Sequence, residues 1–98
     1  MKDDLRAVFM PRFIDTARAR LERAALLLAR RDDNALAGEL HALGGEAAML
    51  GLEEFADSAR GGEIGARRGD LAACQRSLRT LGESLEQVVA RGGPGGAP

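Results

Sequence analysis

Four successive stretches of this chain place apolar residues at alternating three- and four-residue steps, the spacing of one buried face on an α-helix. Ile14, Ala17, Leu21, Ala24 and Leu28 mark the first, and Leu36, Leu40, Leu43, Ala47 and Leu50 the second. Leu52, Phe55, Ala59 and Ala66 mark the third. The fourth is the most regular, with Leu71, Cys74, Leu78, Leu81, Leu85 and Val88. A chain of 98 residues has room for one core. With three Phe and no Tyr or Trp, that core is built from small and aliphatic side chains, which favours close helix packing over a sheet.

The breaks between stripes are short and carry helix stop and start signals. Asp32 and Asp33 are N-cap candidates for the second helix. Gly51 can close that helix in a left-handed turn, after which Glu53 and Glu54 suit the first turn of the third. Gly69 followed by Asp70 repeats the pattern. Pro11 interrupts the first stretch, so a short leading turn through Phe9 is expected, then a longer helix with Pro11 in its first turn. Short loops make consecutive helices antiparallel neighbours. The expected fold is all-α: an up-down antiparallel four-helix bundle with a short N-terminal leading helix, forming one domain over residues 1–91. The weak stretch is Arg60 to Gly65, where three glycines should make the third helix fray or break. The Gly/Pro tail over 92–98 is expected to be disordered.

Charge and composition narrow the function. A net charge of −1 excludes a strongly basic nucleic-acid binder. No apolar run is long enough to span a membrane. One cysteine, Cys74, cannot form an internal disulfide, which suits a reducing compartment and a cytoplasmic location. On the core stripe, it reads as a buried structural thiol. Lys2 is the only lysine among 14 basic residues, a skew typical of a GC-rich bacterial genome.

His41 is the only histidine. On a wheel of about 100° per residue it lies roughly 140° from the leucine stripe of its helix, hence on the solvent side. Its wheel neighbours Asn34, Ala37, Gly38, Gly44, Gly45 and Ala48 are all small, so one imidazole rises from a flat patch. Gly38, Gly44 and Gly45 together cost the helix roughly 2–3 kcal/mol against alanines. Either small residues let a partner approach the imidazole closely, or His41 is an ordinary surface histidine on a glycine-kinked helix. Met49, two turns on, either offers a partner an apolar contact or packs on the following turn. The Arg30-Arg31 and Arg67-Arg68 pairs at helix ends are explained by the helix dipole, with partner recognition as the alternative.

The segment His41-Ala42-Leu43-Gly44-Gly45, followed by Leu50-Gly51, resembles the signature of histidine-containing phosphotransfer (HPt) domains. In that signature the phosphoacceptor His precedes x-Leu-Lys-Gly and, later, a large apolar residue and Gly. His41, Leu43, Gly45, Leu50 and Gly51 match, and the helical layout of nearly the whole chain agrees. Gly44 stands where the family has Lys, and Glu46 where it often has a small residue. A Lys one turn from the imidazole would offset phosphoryl charge. Its absence leaves open a docking module that keeps the fold without transfer. A sensor-kinase dimerisation hairpin fits less well, because Ala42 rather than an acidic residue follows His41 and no Pro comes downstream of His41 before Pro94.

The resemblance implies that His41 exchanges a phosphoryl group with the aspartate of a response-regulator receiver domain, or takes part in relay with a hybrid sensor kinase. Ala37, Gly38, Gly44, Gly45, Ala48 and Met49 would form the partner-binding surface. It implies no bound metal or cofactor on this chain, with Mg²⁺ held by the receiver. The protein would be a monomeric phosphoryl carrier and co-substrate, not a self-sufficient enzyme. The initial Met and the tail favour a free-standing shuttle over part of a longer kinase.

Overall fold

The computed structural model describes the backbone of residues 2–91 and the side chains of residues 6–91, so the tail over 92–98 lies outside the described residues. Four helices follow in order: α1 Lys2–Ala29, α2 Asp33–Met49, α3 Glu53–Arg67 and α4 Leu71–Ala90. There is no strand among the described residues. Each helix packs on its neighbours in the chain, and α4 returns to α1, closing a ring of four.

All three connections stop the preceding helix in the same way. Gly51 and Gly69 take positive φ of 74° and 68°, and Arg31 does so at 55° without being glycine. At each, two backbone bonds recapture the last carbonyls. Leu52 N–H reaches Ala47 O at 2.9 Å and Gly51 N–H reaches Ala48 O at 3.0 Å; Asp70 N–H reaches Gly65 O at 2.8 Å and Asp32 N–H reaches Leu27 O at 2.9 Å. Such a left-handed closure satisfies carbonyls that a helix end would otherwise orphan. Asp32 and Asp70 then cap α2 and α4 by accepting from Ala35 N–H at 3.2 Å and Ala73 N–H at 3.0 Å.

The leucine stripes meet in the centre. Leu36, Leu40, Leu43 and Leu81 are fully buried, with Ile14, Ala17, Phe55 and Leu85 around them. Phe13 of α1 and Phe55 of α3 span the bundle edge to face, centroids 5.5 Å apart and planes at 77°. Cys74 is buried, and burial pushes its thiol above the ordinary value, then the nearby charges of Asp33 and Asp70 push the same way. Leu71, expected on the core stripe, is 37% exposed because it opens α4 at the bundle's end.

Two expectations are corrected. No break separates a leading helix: α1 runs continuously through Pro11. Proline deprives the carbonyl four residues back of its donor, but that residue, Ala7, is exposed, so water can satisfy it. Immediately after Pro11, Phe13 and Ile14 are buried and hold the helix to the core. Nor does α3 break at its glycines. Gly62 and Gly65 are contact points for α4: a Cβ on Gly62 would overlap Ser77 Oγ and come within 2.9 Å of Leu40 Cδ1, and one on Gly65 would lie 2.9 Å from Ala73 Cβ. The close approach lets Ser77 donate to the Ser58 carbonyl at 2.7 Å. The propensity lost in α3 is thus offset by packing.

A charged clasp ties α1 to α2. Arg20 bonds both oxygens of Glu46, Nε to Oε1 at 3.2 Å and Nη2 to Oε2 at 3.3 Å, and also reaches Glu39 at 3.1 Å. Arg23 takes the second oxygen of Glu39 at 2.8 Å. Burial pushes the Glu39 carboxyl up, but hydrogen bonds from Arg23 and Arg20 outweigh it and hold the group below the usual carboxylate range.

Two stability predictions follow from these contacts. Gly61 is exposed with open space at its Cβ position, whereas Gly62 has none. In urea titrations Gly61→Ala should therefore gain up to about 1 kcal/mol, and Gly62→Ala should lose about 1–3 kcal/mol. Glu39→Gln should cost about 1–2 kcal/mol at neutral pH. Because the folded-state pKa of Glu39 is depressed, that contribution is present above the ordinary carboxylate range and disappears as pH falls through the folded value. The gap between wild type and Glu39→Gln should accordingly close in acid.

Candidate functional site

Helix α2 presents His41 because its remaining faces are occupied. Leu36, Leu40, Leu43 and Ala47 fill the core, and Glu39 and Glu46 are held by the α1 arginines. The His41 side chain, 75% exposed, stands on the remaining face.

It is not alone there. Nδ1 of His41 lies 3.2 Å from Oε1 of Glu63 on α3. The Glu63 side chain is largely covered, and its other oxygen accepts from Arg67 Nε at 3.1 Å and Nη2 at 2.9 Å. Burial pushes the Glu63 carboxyl up, while hydrogen bonds from Arg67 and His41 outweigh it, so the group sits below the usual range and is ionised near neutrality. An ionised carboxylate only accepts, so the ring nitrogen facing it carries the hydrogen. In the neutral ring this assigns the proton to Nδ1 and leaves the Nε2 lone pair directed away from Glu63. The arrangement is a carboxylate-oriented imidazole with a free nucleophilic nitrogen, the division of labour seen wherever a carboxylate fixes a histidine tautomer.

The small-residue patch divides in two. Gly38, Gly45 and Ala48 are exposed as expected, and a Cβ at Gly38 or Gly45 would meet nothing within 4 Å. Ala37 and Gly44 are instead buried. A Cβ on Gly44 would lie 3.4 Å from Ala59 Cβ and 3.6 Å from the Ala56 carbonyl. The correction arises because α2 is covered by α3 as well as α1, so its buried arc is wider than the leucine stripe alone. Position 44 therefore serves the α2–α3 contact. Met49 is 88% exposed and does not pack into the following turn. With Phe9, Phe13 and Leu50 it lines a mainly apolar groove of about 320 Å³ between α1 and the end of α2. Glu46 lies off the His41 face and clasps Arg20.

Glu63 and Arg67 are the site residues that inspection of α2 missed. Their spacing, Glu four residues before Arg, marks an ion pair on one helix. Which turn of α3 lies beside His41 depends on register between helices, and no local pattern encodes it. Among the described residues no group of three His, Cys, Asp or Glu side chains could hold a metal ion.

The ring geometry is testable directly. Nitrogen-15 NMR of the neutral imidazole should show wild-type His41 predominantly protonated at Nδ1. In Glu63→Gln that preference should weaken towards a mixture of tautomers. An unchanged tautomer would mean that Glu63 does not orient the ring.

No curated protein and no solved structure matches the chain. The sequence profile of the Hpt domain family matches residues 8–91, a span that includes the second, third and fourth helices entire and His41 with its α3 partners. With an all-helical bundle displaying one exposed, carboxylate-held histidine, the chain belongs to the Hpt domain family, whose members work in phosphotransfer and phosphorelay signalling with receiver domains and kinases.

Proposed function

We propose that this protein is a phosphorelay carrier in which His41 Nε2 accepts a phosphoryl group from the aspartyl phosphate of a response-regulator receiver domain and returns it in the reverse direction. The observation that carries this reading is the 3.2 Å contact between Nδ1 and a carboxylate, on a ring that is 75% exposed. As Nε2 attacks phosphorus, the N–P bond forms, the P–O bond to the receiver aspartate breaks, and the aspartate leaves as a carboxylate. The imidazole, still protonated at Nδ1, becomes cationic, and Glu63 offsets that charge where it develops. Mg²⁺ and the acidic pocket belong to the receiver in this scheme, and the carrier acts as co-substrate.

Gly38, Gly45, Ala48 and Met49 form the docking face. Gly38 and Gly45 cost helix propensity while packing against nothing, which fits a surface kept low for a partner to reach Nε2. Gly44 acts indirectly, by seating α2 on α3, and Ala37 is buried within the bundle. The setting we favour is a monomeric, up-down antiparallel bundle in the cytoplasm of a bacterium, where the relay joins a hybrid sensor kinase to its receiver. No described helix is long and apolar enough to cross a membrane.

The test is transfer from a phosphorylated receiver in the presence of Mg²⁺. Acid-labile label should appear on the wild-type protein and be absent from His41→Gln. Receiver binding without label on the wild type would overturn the carrier reading and leave a docking module.

A further inference from the structure

The described side chains include three sulfur atoms, and the fold treats them unequally. Cys74 is buried on the inner face of α4, its thiol directed to the Gly62 carbonyl at 3.9 Å. Burial raises that thiol's pKa, so little of the reactive thiolate forms. Met10 is half-buried and packs on the core. Met49 is 88% exposed. A thioether needs no deprotonation before an oxidant attacks it, so its reactivity follows access to solvent. Among the described residues, Met49 is therefore the sulfur that a peroxide meets first.

Its position gives that reactivity a consequence. Met49 is the last residue of α2, and the helical rise puts it about 12 Å beyond His41 along the axis. It lines the apolar groove with Phe9, Phe13 and Leu50, and Phe9 is also exposed. A partner seated there would exclude water from the thioether. Oxidation adds one oxygen to the sulfur, and a flexible apolar side chain becomes a polar one. Covering a polar group that gains no hydrogen bond is unfavourable, so the same seating then works against binding. The fold and the imidazole lie outside this effect. Met49 is no part of the buried core, and the contacts that hold His41 come from Glu63 and Arg67 on α3.

Resting on the carrier reading above and on its docking face, we propose that Met49 is an oxidation site that controls docking: a peroxide converts it to the sulfoxide, which weakens receiver binding while leaving His41 able to take a phosphoryl group. In that step a sulfur lone pair attacks one oxygen of hydrogen peroxide, the S–O bond forms and the O–O bond breaks. Proton transfer to the departing oxygen releases water. Sulfur is oxidised and the peroxide reduced. A sulfoxide reductase reverses the step, taking two electrons from a dithiol and releasing the oxygen as water.

Peptide mapping after hydrogen peroxide treatment reads the site of oxidation. Trypsin places Met10 in residues 7–12, Met49 in 32–60 and Cys74 in 69–76, so each sulfur is scored separately. The Met49 peptide should gain one oxygen several times faster than the Met10 peptide, with Cys74 unmodified while the protein is folded. Docking is read with the receiver that labels the wild type in the transfer assay. The sulfoxide form should bind it about tenfold more weakly, and sulfoxide reductase with dithiothreitol should restore binding. Met49→Leu should bind normally and lose the peroxide effect, whereas Met49→Gln should bind weakly without peroxide. Phosphoramidate labels His41 with no receiver present: Nε2 forms the N–P bond as the P–N bond of the reagent breaks and ammonia leaves. Oxidised and untreated protein should be labelled at equal rates and share one urea midpoint. Oxidation of Met10 ahead of Met49, full receiver binding by the sulfoxide, or slower phosphoramidate labelling of it would overturn the proposal and leave the carrier intact. Failure of the wild type to take label from a phosphorylated receiver would overturn both.

Discussion

The close seating of α3 on its two neighbours is the constraint on which the remainder depends. Towards α2 it places Ala56 and Ala59 against Gly44; towards α4 it places Gly62 and Gly65 against Ser77 and Ala73. An added methyl would overlap a neighbour at Gly62 and Gly65 and would only touch one at Gly44, so α3 has little freedom to slide along α4. That locking sets which turn of α3 stands beside His41. It brings Glu63, with Arg67 one turn further, to the imidazole. Chemistry at an exposed histidine is therefore prepared by packing that includes no polar side chain of the site.

Much of the fold was legible because the signals are local. The buried leucines of α2 and α4, the Asp32 and Asp70 caps and the Gly51 and Gly69 turns all follow from periodicity and from the φ that glycine tolerates. What escaped depends on neighbours. Pro11 reads as a break until the following Phe13 and Ile14 are seen buried. The glycines of α3 read as weakness until α4 is seen to need their missing methyls. Arg31 carries no turn signal of its own, yet closes α1 as Gly51 closes α2.

The candidate site shows the same division. His41, Gly38, Gly45 and Met49 could be placed on the open face from α2 alone, because a wheel reports direction relative to one stripe. Ala37 and Gly44 could not, because the assembled bundle buries them, Gly44 against Ala56 and Ala59 of α3. Glu63 lies 22 positions away from His41, and its role depends on inter-helix register. The glycine at position 44 illustrates the difference in meaning: in the motif it marks a missing cation, and in the bundle it is a spacer between helices.

The open space over Gly38 and Gly45 has an evolutionary consequence. Folding places almost no demand on what stands there beyond helix propensity, so selection on those positions is decoupled from selection on the core. On the docking role proposed for this face, a lineage could change its contour, and with it the choice among competing partners, without first acquiring compensating changes inside the bundle. Two unfilled positions beside the histidine give such a protein a way to separate duplicated signalling routes while the scaffold beneath them is inherited unchanged.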